Sequence, residues 1–332
     1  MHKQPHKQRT GRKGKTGSSS AAGSGVGSAA GAGSGVDFPP PTVNMPMCLA
    51  AHLPSASPPS PPAAACCGAS DSVAYPALVS LLTPTFNRRA FIPQLVDCVI
   101  AQSYVGPMEW VVADDGTDRV GELLGTYASA LEARDVELRY VSLPKRMPLG
   151  RKRNMLADLA RGEICLLLDD DDYHPASRVQ HAVDVLITNP QVEVAGCSEL
   201  IMLSLGGGES SGSGLGSASA SPLTFHRIGP FRANHATCGT LAMRRSFFGR
   251  HRFADRAVNA EEEGLLDNFT VPLVQLRPES TLVCIVHDRN TVDKRGFVES
   301  LGPAQDPHLA HILSSSAWRF YHTLAQKGAK ME

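Results

Sequence analysis

Four consecutive aspartates, Asp169 to Asp172, close the apolar run Ile164-Cys165-Leu166-Leu167-Leu168. Adjacent like charges repel, and a hydrophobic core gains nothing from them. They fit the mouth of a strand where a divalent cation and a polyphosphate arrive together. A chain with this feature needs a sheet that ends at a ligand cleft.

The flanking pattern supplies such a sheet. Leu78–Leu82 reads as a short strand followed by the turn Thr83-Pro84-Thr85. Between Phe91 and Tyr104, Leu95, Val96, Val99 and Ile100 share one helical face. Glu109–Ala113 is the next strand, stopped by Asp114-Asp115-Gly116. Val120 to Leu131 reads as a helix, Val136 to Leu143 as a strand, and Leu149 to Ala160 as a basic helix before the strand into the aspartates. Such alternation predicts an α/β fold with a mostly parallel sheet and helices on both faces. Ligands bind such sheets at the carboxyl ends of the strands, where Thr83–Thr85, Asp114-Asp115 and Asp169–Asp172 are expected to converge. Beyond Pro175 a helix (Val179, Ala182, Val183, Leu186) leads to a strand, Val192–Leu203. Thr237–Met243, Val271–Leu276 and Thr281–His287 follow as short antiparallel or mixed strands forming a smaller second half.

Composition bounds the rest. Residues 1–72 are rich in Gly, Ser, Ala and Pro and predict a disordered tail. The folded domain is expected over 73–305, with a first half (77–175), a second half (176–300), a low-complexity loop (206–222) and a C-terminal helix or tail (306–332). The formal net charge is zero over 332 residues, which argues against bulk nucleic-acid or anionic-membrane binding. Lys3, Lys7, Arg9, Arg12, Lys13 and Lys15 make the extreme N-terminus basic. Such an arm could tether polyanions in a salt-dependent way, although a solubilising tail is the simpler reading. No apolar stretch approaches the ~18–20 residues of a membrane span. The tail is acid-poor, as a transit peptide is, but it lacks an amphipathic apolar face, so a cytoplasmic setting is expected. Eight cysteines without a C-x-x-C pair read as reduced thiols rather than as a disulfide framework or a zinc site.

No G-x-G-x-x-G follows the first strand and no P-loop is present, which argues against a dinucleotide dehydrogenase or a P-loop NTPase. Thr83 and Thr85 can hydrogen-bond a base or ribose, and Asp114 can accept from a base N–H. Alternatively, Asp114-Asp115-Gly116 is an ordinary turn that leads into a helix. Gly150-Arg151-Lys152-Arg153 places cations at a helix N-terminus, which suits a phosphate, with Lys152 and Arg153 the preferred ligands. Carboxylates suit Mg²⁺ or Mn²⁺, and a histidine such as His287 tilts the balance toward Mn²⁺. Glu261-Glu262-Glu263 stands at a helix start, where the dipole alone favours acids. Crowded carboxylates also raise one another's pKa, as a general base requires.

Together the stretches TPTFNRR, EWVVADDGTD, MPLGRKRN, LLLDDDDYHP, NHATCGT, NAEEEGLLDNFTVPLVQL and VHDRNT resemble the GT-A fold glycosyltransferases of family 2, most closely those of large DNA viruses, algae and other protists. The resemblance spans roughly residues 77–295. It implies that Thr83, Thr85 and Asp114 hold the uridine or another nucleoside, with Pro84, Asp115, Lys152, Arg153, Asp169 and Asp170 completing nucleotide-sugar binding. Asp169 and Asp171 would form the D-x-D motif, and Asp169, Asp171 and His287 the metal site. Glu262 would be the catalytic base, with Glu261 the alternative, because the family has Asp where this chain has Glu. His235, Thr237 and Gly239 would face the acceptor. The implied reaction is metal-dependent (Mn²⁺ or Mg²⁺) inverting transfer from a nucleotide-diphosphate sugar, UDP by family habit. The acceptor would be a glycan, protein or lipid-linked hydroxyl. Two alternatives remain. One is a sugar-nucleotide nucleotidyltransferase, for which Thr83-Pro84-Thr85-Phe86-Asn87 is a poor signature loop. The other is a catalytically silent binding module, whose mark would be lost acidic clusters.

Overall fold

The computed structural model describes residues 74–205, 223–288, 290–291, 294, 296, 298 and 307–326. The expected tail 1–72 and loop 206–222 lie outside the described residues.

The strands in chain order are β1 (Val79–Thr85), β2 (Met108–Asp114), β3 (Val136–Ser142), β4 (Ile164–Leu167), β5 (Val194–Gly196), β6 (Leu200–Leu205), β7 (Leu223–Ile228), β8 (Ala242–Arg244), β9 (Val274–Gln275) and β10 (Val283–Val286). Two sheets result. A seven-stranded sheet has the order β3-β2-β1-β4-β8-β5-β9, and a three-stranded sheet the order β10-β6-β7. β1 pairs in parallel with both β2 and β4, so the carboxyl ends of these strands lie side by side. Every residue of β1, β2 and β4 is buried, as both-face coverage requires, whereas the edge strand β3 is mostly half-exposed.

The helices cover the sheet as their spacing predicts. α1 (Ile92–Ile100) starts with Pro93 in its first turn and buries Leu95, Val96 and Val99. The stretch expected as one helix after Val120 is two short ones, α2 (Gly121–Gly125) and α3 (Ala128–Glu132). α4 (Leu149–Leu159) follows β3, and α5 (Arg178–Thr188) buries Val179, Ala182, Val183 and Leu186. Each buried valine or leucine among them contributes roughly 1.5–3 kcal/mol.

Two corrections fall in the second half. Val192–Leu203 is not one strand. It breaks at Cys197, whose N–H donates to Thr240 Oγ1 (3.0 Å), and its two pieces enter different sheets. Thr237–Met243 is mainly a 3₁₀ turn, Cys238–Thr240, with β8 starting only at Ala242. The sheets are joined at the acidic run. Tyr173 exchanges backbone hydrogen bonds with Val283 (3.0 and 2.9 Å), and Ile285 N–H donates to Asp172 Oδ1 at 2.9 Å. The helix Ser315–Gln326 packs Tyr321 and Ala317 into the second sheet's core. No described helix is long and apolar enough to cross a membrane.

Candidate functional site

A cavity of about 640 Å³ opens at the carboxyl ends of β1 and β4. Pro84, Thr85, Lys152, Arg153 and Asp169–Asp172 line one side, and Thr237, Cys238, Gly239, Glu261 and Glu262 the other. Thr83, Asp114, Asp115, His235 and His287 stand back from the wall.

The first two turns hold each other rather than a ligand. Thr83 is fully buried, and its hydroxyl accepts the indole N–H of Trp110 at 2.9 Å. Asp114 accepts from Gly116 N–H (2.8 Å) with one oxygen, and from Val120 N–H (2.9 Å) and Tyr140 O–H (2.7 Å) with the other. Thr83 and Asp114, expected to hold a nucleoside, thus stand behind the cavity wall with internal partners. The turn reading of Asp114 describes its geometry, because an aspartate at a strand end satisfies the N–H groups of its own turn. Asn87, at φ 54°, accepts from Thr117 and Asp118 N–H at 2.8 and 2.9 Å. A Cβ on Gly116 would meet Asn87 Oδ1 at 2.6 Å, so this close approach needs glycine.

The two cations expected to bind phosphate are committed inward. Lys152 lies 4% exposed and donates to Thr85 O (3.1 Å) and to Asp115 Oδ1. Burial pulls its pKa down, against the attraction of Asp115. Asp115 also accepts Met147 N–H at 2.9 Å. Arg153 bridges the cleft, with Nε on Glu261 Oε1 (2.9 Å) and Nη2 on Asp169 Oδ1 (2.8 Å). Among the described residues its Nη1 has no hydrogen-bond partner, nor has Thr237 Oγ1. Buried donors without partners are rare and mark a place where a ligand atom fits.

The four aspartates differ sharply. Asp171 Oδ2 lies 3.0 Å from His287 Nε2 and 3.2 Å from an Arg88 guanidinium nitrogen. Burial alone would raise its pKa, but His287, Lys294 and Arg88 outweigh that and hold it below the usual carboxylate range. Asp170 is pushed up to about 8 by burial and by Asp171. Asp172 rises to about 7 through burial, with Lys294 opposing and Asp171 and Asp169 reinforcing. The run thus concentrates negative charge on Asp171 and leaves its neighbours able to hold protons at neutral pH. His174, behind the run, donates from Nε2 to Asp169 O (3.0 Å), and burial pushes its pKa down to about 4.

On the facing wall, Glu261 precedes the short helix α6 (Glu262–Leu265). Glu261 is fixed by Arg153, while burial, helped by Glu261, pushes Glu262 up to about 7. Gly239 approaches so closely that a Cβ there would sit 2.9 Å from Asp169 Oδ2. His235 instead stacks between Phe231 and Phe269, with ring centroids 4.8 and 4.7 Å apart, outside the cavity lining.

Sequence reasoning gave no role to Arg88, Arg146, Cys238, Asn290 or Lys294, all of which line the cavity. Arg88 lies inside the quoted TPTFNRR stretch, and its position just after the first strand end was the available signal. Arg146 stacks over the Phe86 ring at 4.2 Å, a contact that spacing does not announce. Asp171 and His287 have the oxygen and nitrogen donors that suit Mn²⁺ or Mg²⁺, and their contact shows that two of the three expected ligands meet. Asp169, the third, is tied to Arg153.

A family model described as "Glycosyl transferase family 2" matches residues 80–248. The uncharacterized glycosyltransferase EpsJ of Bacillus subtilis is 31% identical over 121 residues, covering 36% of this chain and 33% of EpsJ. The putative teichuronic acid biosynthesis glycosyltransferase TuaG of the same species is 28% identical over 111 residues, covering 33% and 42%. The chain thus matches well under two thirds of these relatives' lengths. Among solved structures, S. aureus TarS in complex with UDP has a TM-score of 0.45 at 18% identity, covering 75% and 73% of the two chains. The mannosyltransferase PcManGT from Pyrobaculum calidifontis, in complex with GDP-Man and Mn²⁺, has a TM-score of 0.49 at 16% identity, covering 77% and 75%. EpsJ and TuaG are bacterial, so they lend nothing to the narrower likeness to proteins of large DNA viruses and protists. The family match takes in the whole acidic run and just over half of the sequence, and the chain belongs to glycosyl transferase family 2, with a GT-A-like α/β fold.

Proposed function

We propose that the protein transfers a sugar from a nucleoside-diphosphate sugar, in the simplest case a UDP-sugar, to an acceptor hydroxyl with inversion at the anomeric carbon. The observation that carries this reading is the placement of Glu262 in one cavity with the acidic run, with its pKa raised to about 7. A base poised near neutrality suits removal of a hydroxyl proton. As the acceptor oxygen bonds to the anomeric carbon, the bond to the diphosphate breaks, and the acceptor proton passes to Glu262. Glu261 is held by Arg153 and serves to fix that guanidinium between the two walls. Arg153 Nη1 and Thr237 Oγ1, both without internal partners, are suited to oxygens of the donor or acceptor.

Asp171 and His287, with Asp169 turned from Arg153, would hold Mn²⁺ or Mg²⁺. Bound there, the cation would offset charge on the diphosphate leaving group. Within this reading, residues 77–175 serve the donor and 176–300 the acceptor, a glycan, protein or lipid-linked hydroxyl. The five buried free cysteines support a reducing, cytoplasmic setting. A nucleotidyltransferase is less well supported, since the first turn is occupied by Asn87 and its contacts to Thr117 and Asp118 rather than by an open glycine-rich loop.

The test is release of nucleoside diphosphate from a panel of sugar nucleotides with Mn²⁺, with Mg²⁺ and with EDTA. Metal-dependent release from one donor, abolished in Asp171→Asn, is expected. Failure of every nucleoside diphosphate to raise the thermal midpoint in Mn²⁺ would overturn the reading.

A further inference from the structure

Cys238 has no part in the transfer just described, yet its thiol faces the carboxylates on which that transfer depends. One ligand atom each from Cys238, Glu261 and Glu262 lies within 4.8 Å of both others. Cys238 is 7% exposed and Glu261 5% exposed, and all three residues line the cavity. The sulfur arrives on the 3₁₀ turn Cys238–Thr240, and the carboxylates on the start of α6, so two separate segments converge.

We propose that Cys238, Glu261 and Glu262 form a binding site for a thiophilic divalent cation such as Zn²⁺ or Cd²⁺, and that filling it silences the enzyme. Tetrahedral zinc bonds of ~2.0–2.3 Å place ligand atoms roughly 3.3–3.8 Å apart, so side-chain rotations close the set. A cavity-facing fourth position remains for water. Arg153 does not bar the cation. Its charge is already shared by Asp169 and Glu261, and Glu261 can keep Oε1 on Arg153 while offering its other oxygen. The guanidinium then orients a metal-bound carboxylate from outside. Thiolate ligation releases the thiol proton and selects softer ions. Mn²⁺ and Mg²⁺ instead prefer the oxygen and imidazole donors of Asp171 and His287. One cleft would thus carry two cation positions of opposite preference. The inhibitory consequence rests on the transferase reading, because the metal would occupy the proton-accepting carboxylate. The site itself does not rest on it.

The test uses the full chain. Cd²⁺ is titrated into the wild type, Cys238→Ser and Glu262→Gln, following the sulfur-to-cadmium charge-transfer absorbance, with thermal midpoints recorded to show that each is folded. The remaining cysteines contribute equally to all three proteins. Cd²⁺ affinity is expected to fall by about tenfold or more in each variant. Zn²⁺ added beside excess Mn²⁺ should inhibit nucleoside diphosphate release by the wild type, with at least about tenfold less sensitivity in Cys238→Ser. Unchanged Cd²⁺ binding in folded Cys238→Ser and Glu262→Gln overturns the site. If the wild type releases diphosphate from no donor, the transferase reading fails, and the cadmium titration still decides the metal site.

Discussion

At the amino-terminal end of the central sheet, Glu109 is wholly buried and wholly satisfied. It accepts from Ser80 Oγ (2.5 Å), Arg139 Nη1 (2.6 Å), and the backbone N–H and Nε of Arg161 (2.6 and 2.8 Å). Burial alone would raise its pKa, but those donors bring it down to about 2. Around the cleft at the carboxyl end of the same sheet, three largely buried carboxylates are under-served, although Asp114 and Asp171 have their partners. Asp170 and Asp172 rise to about 8 and about 7, Glu262 to about 7, and Arg153 Nη1 stays without a partner. Burial is common to both ends; the supply of donors is what differs. A fully paired buried charge holds strands together, whereas an incompletely paired one is kept for something that arrives later.

The largest expected effect is at the under-served end. Glu262→Gln should lower transfer by ~10²–10⁴-fold, read as nucleoside diphosphate release with acceptor present. Its thermal midpoint should not fall, because a neutral amide replaces a carboxyl that burial already disfavours as an anion. Near-normal transfer would break the comparison. The converse change, Glu109→Gln, should cost about 1.5–3 kcal/mol in urea unfolding, since it removes the charged acceptor that Arg139 and Arg161 share. Turnover per folded molecule should be unchanged.

The ends should also respond oppositely to pH. Glu262 has a folded pKa raised above the ordinary 4.5. Its contribution to stability is therefore present at low pH and lost as pH rises through about 7. Over the same interval transfer should increase, as the base loses its proton. Glu109 has a lowered pKa, so its contribution is present above 4.5 and lost as pH falls toward about 2. Unfolding of the metal-free protein across pH, with each glutamate changed to glutamine in turn, checks both signs. The smallest effects separate two hydroxyls. Ser80→Ala removes a donor to Glu109 and should cost about 1 kcal/mol. Thr237→Val removes a hydroxyl without an internal partner and should stay within ~0.5 kcal/mol while slowing transfer. Equal stability losses would erase the distinction.

Much of this was legible in the chain. Apolar runs ending in acids located the carboxyl ends of β2 and β4, and the spacing of Val179, Ala182, Val183 and Leu186 matched a buried helix face. Contacts between distant segments were not legible. Nothing local marks Thr83 as the partner of Trp110, or Asp114 as the acceptor for Tyr140. Val192–Leu203 looks continuous because its residues all favour strand, yet Thr240 draws Cys197 out of register from over forty positions away. Lys152 and Arg153 look like phosphate ligands because sequence shows their charges but not the carboxylates that meet them.

The backbone exchange between Tyr173 and Val283 has a practical reach. The stretch matched by the family model stops at residue 248, but the strand that braces the acidic run, the glutamates opposite it and His287 all come later. A fragment cut at that border would still match the family model, and it would lack Glu261 and Glu262 from the far wall of its own cleft. The span of the family match is thus shorter than the span whose packing builds the cleft.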